Sequence, residues 1–268
     1  GPSRSLPPEE VARGVAALAG RGYREVVLTG IHLGAYGRDL CPPAGLAAVI
    51  RRCAEEAAVE RLRLSSIEPR EVTPELIDLL ASSGVVCPHL HIPLQSGDDG
   101  ILAAMHRNYD AAFFRDLVQR LHDTIPAIAV GVDVMTGFPG ETESAFANTL
   151  RLVEEMPVAY LHVFPYSPRP GTPAAALPGQ VEAGEKKRRA GMLRLLADRK
   201  RRAFAQRFIG EPLAVLVEGR TDAKTGLPLG FSANYLPVLV RGDAPPNRIV
   251  RVTPFSWQDG RLVADRAD

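Results

Sequence analysis

Five short, apolar, β-rich runs recur along the first two thirds of the chain: Val26–Thr29, Leu62–Ile67, His89–Gln95, Ile128–Thr136 and Tyr160–Tyr166. Successive runs lie about 27 to 40 residues apart, and the gaps between them carry helical periodicity. Asp110–His122 is one such gap segment: Asp110 is placed to cap it, and Phe114, Leu117, Val118 and Leu121 fall on one stripe. Glu143–Met156 is another, with Phe146, Leu150 and Val153 in line. A strand can reach a parallel neighbour only through a long crossover, so this spacing predicts βα units around a parallel sheet.

Polar and glycine residues follow each run directly: Thr29-Gly30, Ser65-Ser66, Gln95-Ser96-Gly97, Gly137 to Glu141, and Ser167 to Thr172. Parallel α/β folds bind ligands at the carboxyl ends of their strands, so the site is expected there. The chain opens on a helix, Pro8–Ala19, which suggests that the first strand of a barrel has been cut away. Gly1-Pro2 are either native or a scar of tag removal.

The net charge of +1 conceals a strong asymmetry. Residues 1–184 sum to −7, and residues 209–268 to zero. Residues 185–208 carry ten Lys and Arg against two acidic residues. This segment reads as one long helix with Leu193, Leu196, Phe204 and Phe208 on its apolar stripe, and its charge suits a polyanion. Past Gly210 short β runs appear at Leu213–Glu218, Asn234–Val240, Ile249–Thr253 and Arg261–Ala264, predicting a small β-barrel of OB-like size. The expected domains are therefore 1–184, a linker helix 185–208 and a β domain 209–268.

Cys41, Cys53 and Cys87 have neither metal-ribbon nor disulfide spacing, and reduced, incidental thiols are expected. No apolar stretch approaches transmembrane length and no signal peptide opens the chain, so a cytoplasmic protein without membrane partners is expected.

Six stretches occur together in order: LTGIHLGAYG (28–37), RLRLSSIEP (61–69), HLHIPLQSGDDGILAAMHRNY (89–109), GVDVMTGFPGETESAF (131–146), LHVFPYSPRPGTPAA (161–175) and NYLPVLV (234–240). They resemble the radical-SAM tRNA methylthiotransferases, with SSIEP most similar to the branch acting on N6-threonylcarbamoyladenosine-37. The resemblance implies an α/β fold: a partial radical-SAM (β/α)6-type open barrel lacking its first strand, followed by a small all-β TRAM barrel. It implies S-adenosyl-L-methionine as cofactor and, in the full-length family protein, two [4Fe–4S] clusters. It further implies the tRNA anticodon arm and an electron donor as partners, and methylthio insertion at C2 of the adenine. The chain departs from the family in lacking the CxxxCxxC triad and the N-terminal domain with its three further cysteines. The fragment alone is therefore expected to be inactive.

The resemblance assigns SAM contacts to Thr29, Gly30, Ser65, Ser66, Gln95, Ser96, Arg107, Asp133, Gly137 and Phe138. Arg107 would pair with the carboxylate, for which a guanidinium fork is suited. The loop Gly137–Glu141 would carry the adenine. Asp133, a charge inside an apolar strand, needs a partner, a ligand or the barrel mouth. Substrate or RNA contacts are expected from Glu68, Arg169, Thr172, Lys187, Arg188, Arg201, Arg202, Asn234 and Tyr235, through salt-sensitive phosphate binding. Two other readings remain open: a family member acting on isopentenyladenosine-37 or a ribosomal protein, and a metal-dependent amidohydrolase barrel using His89 and His91. For the latter the chain offers only His162 and Asp133 as further ligands.

Overall fold

The computed structural model describes residues 3–267; Gly1 and Pro2 lie outside the described residues. Each of the five apolar runs forms a strand. In chain order the elements are α1 (Pro8–Gly20), β1 (Glu25–Leu28), α2 (Leu46–Glu56), β2 (Arg61–Leu64), α3 (Pro74–Ser82) and β3 (His89–Gln95). There follow α4 (Asp99–Ala104), α5 (Ala111–Thr124), β4 (Ala129–Thr136), α6 (Glu143–Glu155), β5 (Tyr160–Pro165) and α7 (Ala183–Gln206). The C-terminal strands are β6 (Leu213–Thr221), β7 (Pro228–Ser232), β8 (Pro237–Arg241), β9 (Ile249–Gln258) and β10 (Arg261–Arg266). The chain divides into two compact units. One holds the residues up to Leu90, Ala127–Ala129 and the residues from Arg202 onward; the other holds His91–Pro126 and Val130–Arg201.

In the first unit, β1 and β2 pair in parallel, Val26 opposite Leu62 and Leu28 opposite Leu64. The five C-terminal strands form a closed barrel in the order β10-β8-β7-β6-β9. Their pairings are antiparallel except β8 with β10. Val215, Val217, Val238, Val240, Val252 and Leu262 are buried, as alternation along each strand requires. β7 has the sequence PLGFS, whose proline and glycine hide it from a propensity reading. Gly230 is there for space: a Cβ would sit 2.5 Å from the Leu216 carbonyl oxygen. The expected run Asn234–Val240 starts late. Residues Ser232 to Leu236 form a turn with Tyr235 at φ 66°, and the strand begins only at Pro237.

The alternation Arg61-Leu62-Arg63-Leu64 suggests a strand with one wet face, yet all four residues are buried. Both guanidinium groups reach barrel carbonyls. Arg61 donates to the carbonyls of Phe231 (3.0 Å) and Ala214 (2.6 Å). Arg63 donates to Ala233 O at 2.9 Å and forks onto Glu25 at 2.7 and 3.1 Å. Burial lowers the Arg61 pKa; at Arg63 burial acts the same way, but the Glu25 hydrogen bond and the neighbouring acidic groups together prevail and raise it.

The second unit carries the three-stranded sheet β3-β4-β5, with β4 and β5 parallel and Asp133 opposite His162. Ile92, Leu94, Val130, Val132 and Val134 point to one fully buried face. The opposite face presents His91, Gly131, Asp133, Met135, Tyr160, His162 and Phe164. Asp110 caps α5 and Thr142 caps α6, their side chains accepting from Phe113 N and Ala145 N. No helix among the described residues is long and apolar enough to cross a membrane.

The three cysteines are free; Cys41 is exposed while Cys53 and Cys87 are buried. Burial pushes the Cys87 thiol up to about 11 and also raises that of Cys53. Reaction depends on the thiolate and on access. One thiol per chain should therefore titrate quickly with a chromogenic disulfide reagent at neutral pH. The other two of the three should react only after denaturation; fast reaction of all three in the native protein would contradict the packing.

Candidate functional site at the strand ends

In the first unit the expected residues follow their strands directly. Thr29 and Gly30 are exposed just past β1, and nothing in the protein comes closer than 3.6 Å to the place of a Gly30 Cβ. Ser65 N–H donates to Leu28 O at 3.0 Å, which ties the ends of β1 and β2 together. The Ser65 hydroxyl is buried without a hydrogen-bond partner, a costly arrangement that suits a ligand contact. Ser66 is exposed and Glu68 half-buried. Beyond β1 the loop is clasped by Glu71, whose carboxylate meets His32 Nε2 at 2.9 Å and Arg38 Nη2 at 3.0 Å.

In the second unit, Gln95 ends β3 at φ 67°, with Ser96 N–H bonded back to Leu94 O at 2.9 Å. A non-glycine residue in this tight three-residue turn is strained, and such strain collects at ligand sites. The Gln95 side chain has no protein partner. Ser96 is different: it is wholly buried, its hydroxyl 3.2 Å from Thr149 Oγ1 and accepting from Asp98 N at 3.2 Å. Its hydroxyl orders the turn rather than being offered to a ligand. Thr149 Oγ1 also accepts from Gly97 N at 2.9 Å, and a Gly97 Cβ would lie 2.6 Å from Thr149 Cα. Arg107 is half-buried beyond α4.

The loop after β4 turns around Glu141. Its Oε2 accepts from Gly137 N at 2.6 Å and from Arg189 Nη1 at 2.7 Å, and Arg189 also donates to the Glu141 carbonyl at 2.8 Å. Burial raises the Glu141 pKa, against the Arg189 and Gly137 hydrogen bonds, which lower it. Gly137 is at φ 73°, and a Cβ there would meet Lys186 Cγ at 2.4 Å. Phe138 is buried edge-on to Tyr166 in an apolar cluster with Ile101 and Ala145. Lys186 Nζ donates to Tyr166 O at 3.3 Å. Two hydroxyls here, Thr136 Oγ1 and Tyr166 OH, are buried without partners. The sequence reading passed over both, although hydroxyls at two strand ends were the available signal. Arg169 and Thr172 are exposed and bond mainly to each other, Thr172 donating to Arg169 O.

Asp133 does not stand at the strand end. It lies three residues before Thr136, between His91 Nε2 at 2.9 Å and His162 Nδ1 at 3.3 Å. The partner it needed is thus a pair of imidazoles. Burial acts to raise its pKa, but the hydrogen bonds from His91 and His162 prevail and hold it below the usual carboxylate range. His89, expected beside His91, instead packs against Tyr235 with ring centroids 4.8 Å apart.

The RNA expectations are revised in part. Asn234 is buried; its amide donates to Ala127 O at 3.1 Å and its carbonyl accepts from Ser232, so it shapes a turn. Tyr235 is half-exposed, covered by the Arg63 guanidinium and stacked on Phe231 at 5.1 Å. Arg188 is held by Glu143 and Glu185. Among the described residues, Lys187, Arg201 and Arg202 have no acidic partner.

A model of the radical SAM superfamily matches residues 1–153. The chain belongs to that superfamily. The chain is also similar over nearly its whole length to curated tRNA-modifying proteins. It is 38% identical over 267 residues to threonylcarbamoyladenosine tRNA methylthiotransferase MtaB of Bacillus subtilis, covering 97% of this chain and 59% of that protein. It is 35% identical over 263 residues to tRNA-2-methylthio-N(6)-dimethylallyladenosine synthase of Pelotomaculum thermopropionicum, covering 98% and 58%. The chain thus spans about three fifths of the length of these relatives. Among solved structures, the radical SAM enzyme coproporphyrinogen III oxidase of Escherichia coli matches with a TM-score of 0.54 at 16% identity, over 72% of this chain and 46% of that one. The radical SAM methyltransferase TsrM of Kitasatospora setae, solved with a [4Fe–4S] cluster, matches at 0.52 and 18% identity, over 63% and 30%. At such identities these two show the fold alone.

Radical SAM proteins use S-adenosylmethionine with a [4Fe–4S] cluster. The cysteines described here do not fit such a cluster: two are buried, one is exposed, and no three converge. Within the second unit, the unpartnered Gln95 side chain, the buried Thr136 hydroxyl and the Gly137–Glu141 loop are polar groups of a kind that fits a nucleoside. No relative favours the amidohydrolase reading.

The loop's dependence on Glu141 is testable by denaturation. Removing one member of a buried pair strands the other, so Glu141→Ala should cost roughly 3 kcal/mol. Glu143→Ala, from an exposed carboxylate bound to the same arginine, should cost under about 0.5 kcal/mol. Equal effects would show that the Glu141 contact does not organise the loop.

Proposed function

We propose that the chain is the nucleoside- and RNA-binding portion of a tRNA methylthiotransferase acting at C2 of N6-threonylcarbamoyladenosine-37. The observation that carries this reading is the 38% identity to the Bacillus subtilis enzyme over 97% of the chain. The branch choice rests on the SSIEP sequence ending β2, because the relatives include enzymes named for both nucleosides. Gln95, Arg107, Gly137 and Phe138 are assigned to SAM. In this assignment Gln95 offers a free amide from a strained turn, and Arg107 takes the carboxylate.

The five-stranded barrel would act as the TRAM module, and α7 would contribute cations to the anticodon arm. The formal +8 of residues 185–208 overstates what phosphates can reach. Arg188 and Arg189 are tied to Glu141, Glu143 and Glu185, Arg199 to Glu154, and Lys200 to the carbonyls of Glu154 and Met156. Lys187, Arg194 and Arg201 are left partner-free at seven-residue spacing, which aligns them along one side of the helix. Arg202 is a fourth free cation. Four phosphate contacts give a slope of log K against log salt of roughly −3 to −4, where ten would give roughly −7 to −9.

Two measurements test this. Filter binding of an anticodon stem-loop should show the shallower slope, and replacing Lys187, Arg194 and Arg201 by Ala should remove about 2 to 3 of it; an unchanged slope removes α7 from the interface. Expressing the gene that encodes this chain in bacteria lacking threonylcarbamoyladenosine methylthiotransferase should restore the 2-methylthio nucleoside in tRNA hydrolysates by mass spectrometry. Appearance of only the dimethylallyl product would reassign the substrate, and absence of both would overturn the reading.

A further inference from the structure

The open face of the β3-β4-β5 sheet carries a cluster that the proposed reaction does not use. His91, Asp133 and His162 come from three adjacent strands at one level, and their ligand atoms all lie within 4.8 Å of one another. His91 Nε2 and His162 Nδ1 both face the same carboxylate oxygen, at 2.9 and 3.3 Å. We propose that His91, Asp133 and His162 form a binding site for a divalent transition-metal cation of the zinc class.

Three observations support this. The first is spacing. Ligand atoms about 2.0–2.2 Å from zinc stand about 3.0 Å apart in octahedral and about 3.4 Å apart in tetrahedral coordination. The two distances to Asp133 already fall in or near that range, and the full spread of 4.8 Å leaves only the two imidazoles to close in on the ion, by side-chain rotation. The second is charge. Asp133 is half-buried, and among the described residues its charged or ionisable partners are the two imidazoles, with no Lys or Arg paired to it. A partly buried carboxylate without a Lys or Arg beside it is a donor whose charge a divalent cation would neutralise. The donor set of two imidazoles and one carboxylate suits zinc or ferrous iron rather than magnesium or calcium.

The third is the outer shell. Tyr160 lies across Gly131, where a Cβ would be 2.0 Å from its ring, and its hydroxyl sits 3.3 Å from His91 Nδ1. A histidine that ligates through Nε2 carries its proton on Nδ1 and needs an acceptor there, and the Tyr160 oxygen is in place. His162 ligating through Nδ1 moves its proton to Nε2, on a side chain 51% exposed to solvent. Three protein atoms leave further positions open to water or an exchangeable donor.

The purified chain, stripped with EDTA and dialysed, should take up one equivalent of Zn2+ by calorimetry and elemental analysis. Co2+ in its place should give visible d–d absorption. His162→Gln and Asp133→Asn should each weaken binding by more than about 100-fold, since loss of even an outer-shell partner costs about 10–100-fold. Tyr160→Phe should weaken it about tenfold. His162 is half-exposed, so its variant should remain folded by circular dichroism. His122→Gln, from the last turn of α5 and outside the cluster, should bind like the parent. Absence of stoichiometric uptake, or equal uptake by the His162 and Asp133 variants, would leave these side chains as a hydrogen-bonded trio and overturn the proposal. Neither outcome bears on tRNA modification, which the hydrolysate analysis tests separately.

Discussion

Two buried arginines decide how the first unit is built. Arg61 and Arg63 lie side by side on a four-residue strand, and a guanidinium cannot be left dry without acceptors. The carbonyls that satisfy them, at Ala214, Phe231 and Ala233, belong to the C-terminal barrel more than 150 positions later in the chain. The strand and the barrel therefore depend on each other: the barrel provides the acceptors, and the strand brings the guanidinium groups that fill them. Glu25 supplies the single countercharge on β1, in reach of both arginines. This explains why the first ninety residues and the last sixty or so fall in one compact unit.

The strands of the βα region were readable because each is short, apolar and bounded by turn residues, and because the helices between them repeat at a different period. Boundaries shifted by at most a few residues. β7 escaped because Pro228 and Gly230 replace the branched residues that normally mark a strand. Asn234 and Tyr235 were misread for a related reason. Their apolar neighbours suggest an extended run, whereas Tyr235 adopts the left-handed conformation and Asn234 buries its amide in the turn. Side-chain hydrogen bonding of this kind decides turns locally and leaves little trace in hydropathy.

The candidate site was partly legible. Position along the chain was enough to place Thr29, Ser65, Gln95 and Gly137 just beyond the ends of their strands, because parallel sheets put loops there. What position could not show is which polar atoms stay free. Gln95 and the Ser65 hydroxyl remain without protein partners, whereas Ser96 is consumed by Thr149 and Asp98. Adjacent residues with similar side chains thus have different fates, set by a helix more than fifty residues away. Asp133 makes the same point: its charge announced a partner, but only the strand register shows that the partners are His91 and His162.

Helix α7 joins these themes. Its composition suggests a uniformly basic rod, yet one side of it is committed inward. Arg189 holds the Glu141 carboxylate and backbone, Lys186 fills the space beside Gly137 and bonds Tyr166, and Lys200 caps the end of α6 through its carbonyls. Those contacts set the shape of the loop that closes β4. Of the four cations left free, those at positions 187, 194 and 201 stand two helical turns apart with Arg202 beside the last, so one helix both braces the loop and presents a line of positive charge. The inward set is fixed by burial and changes little with salt, while the outward set is screened. Net charge cannot distinguish the two, which is why a count over the sequence doubled the charge available to a polyanion.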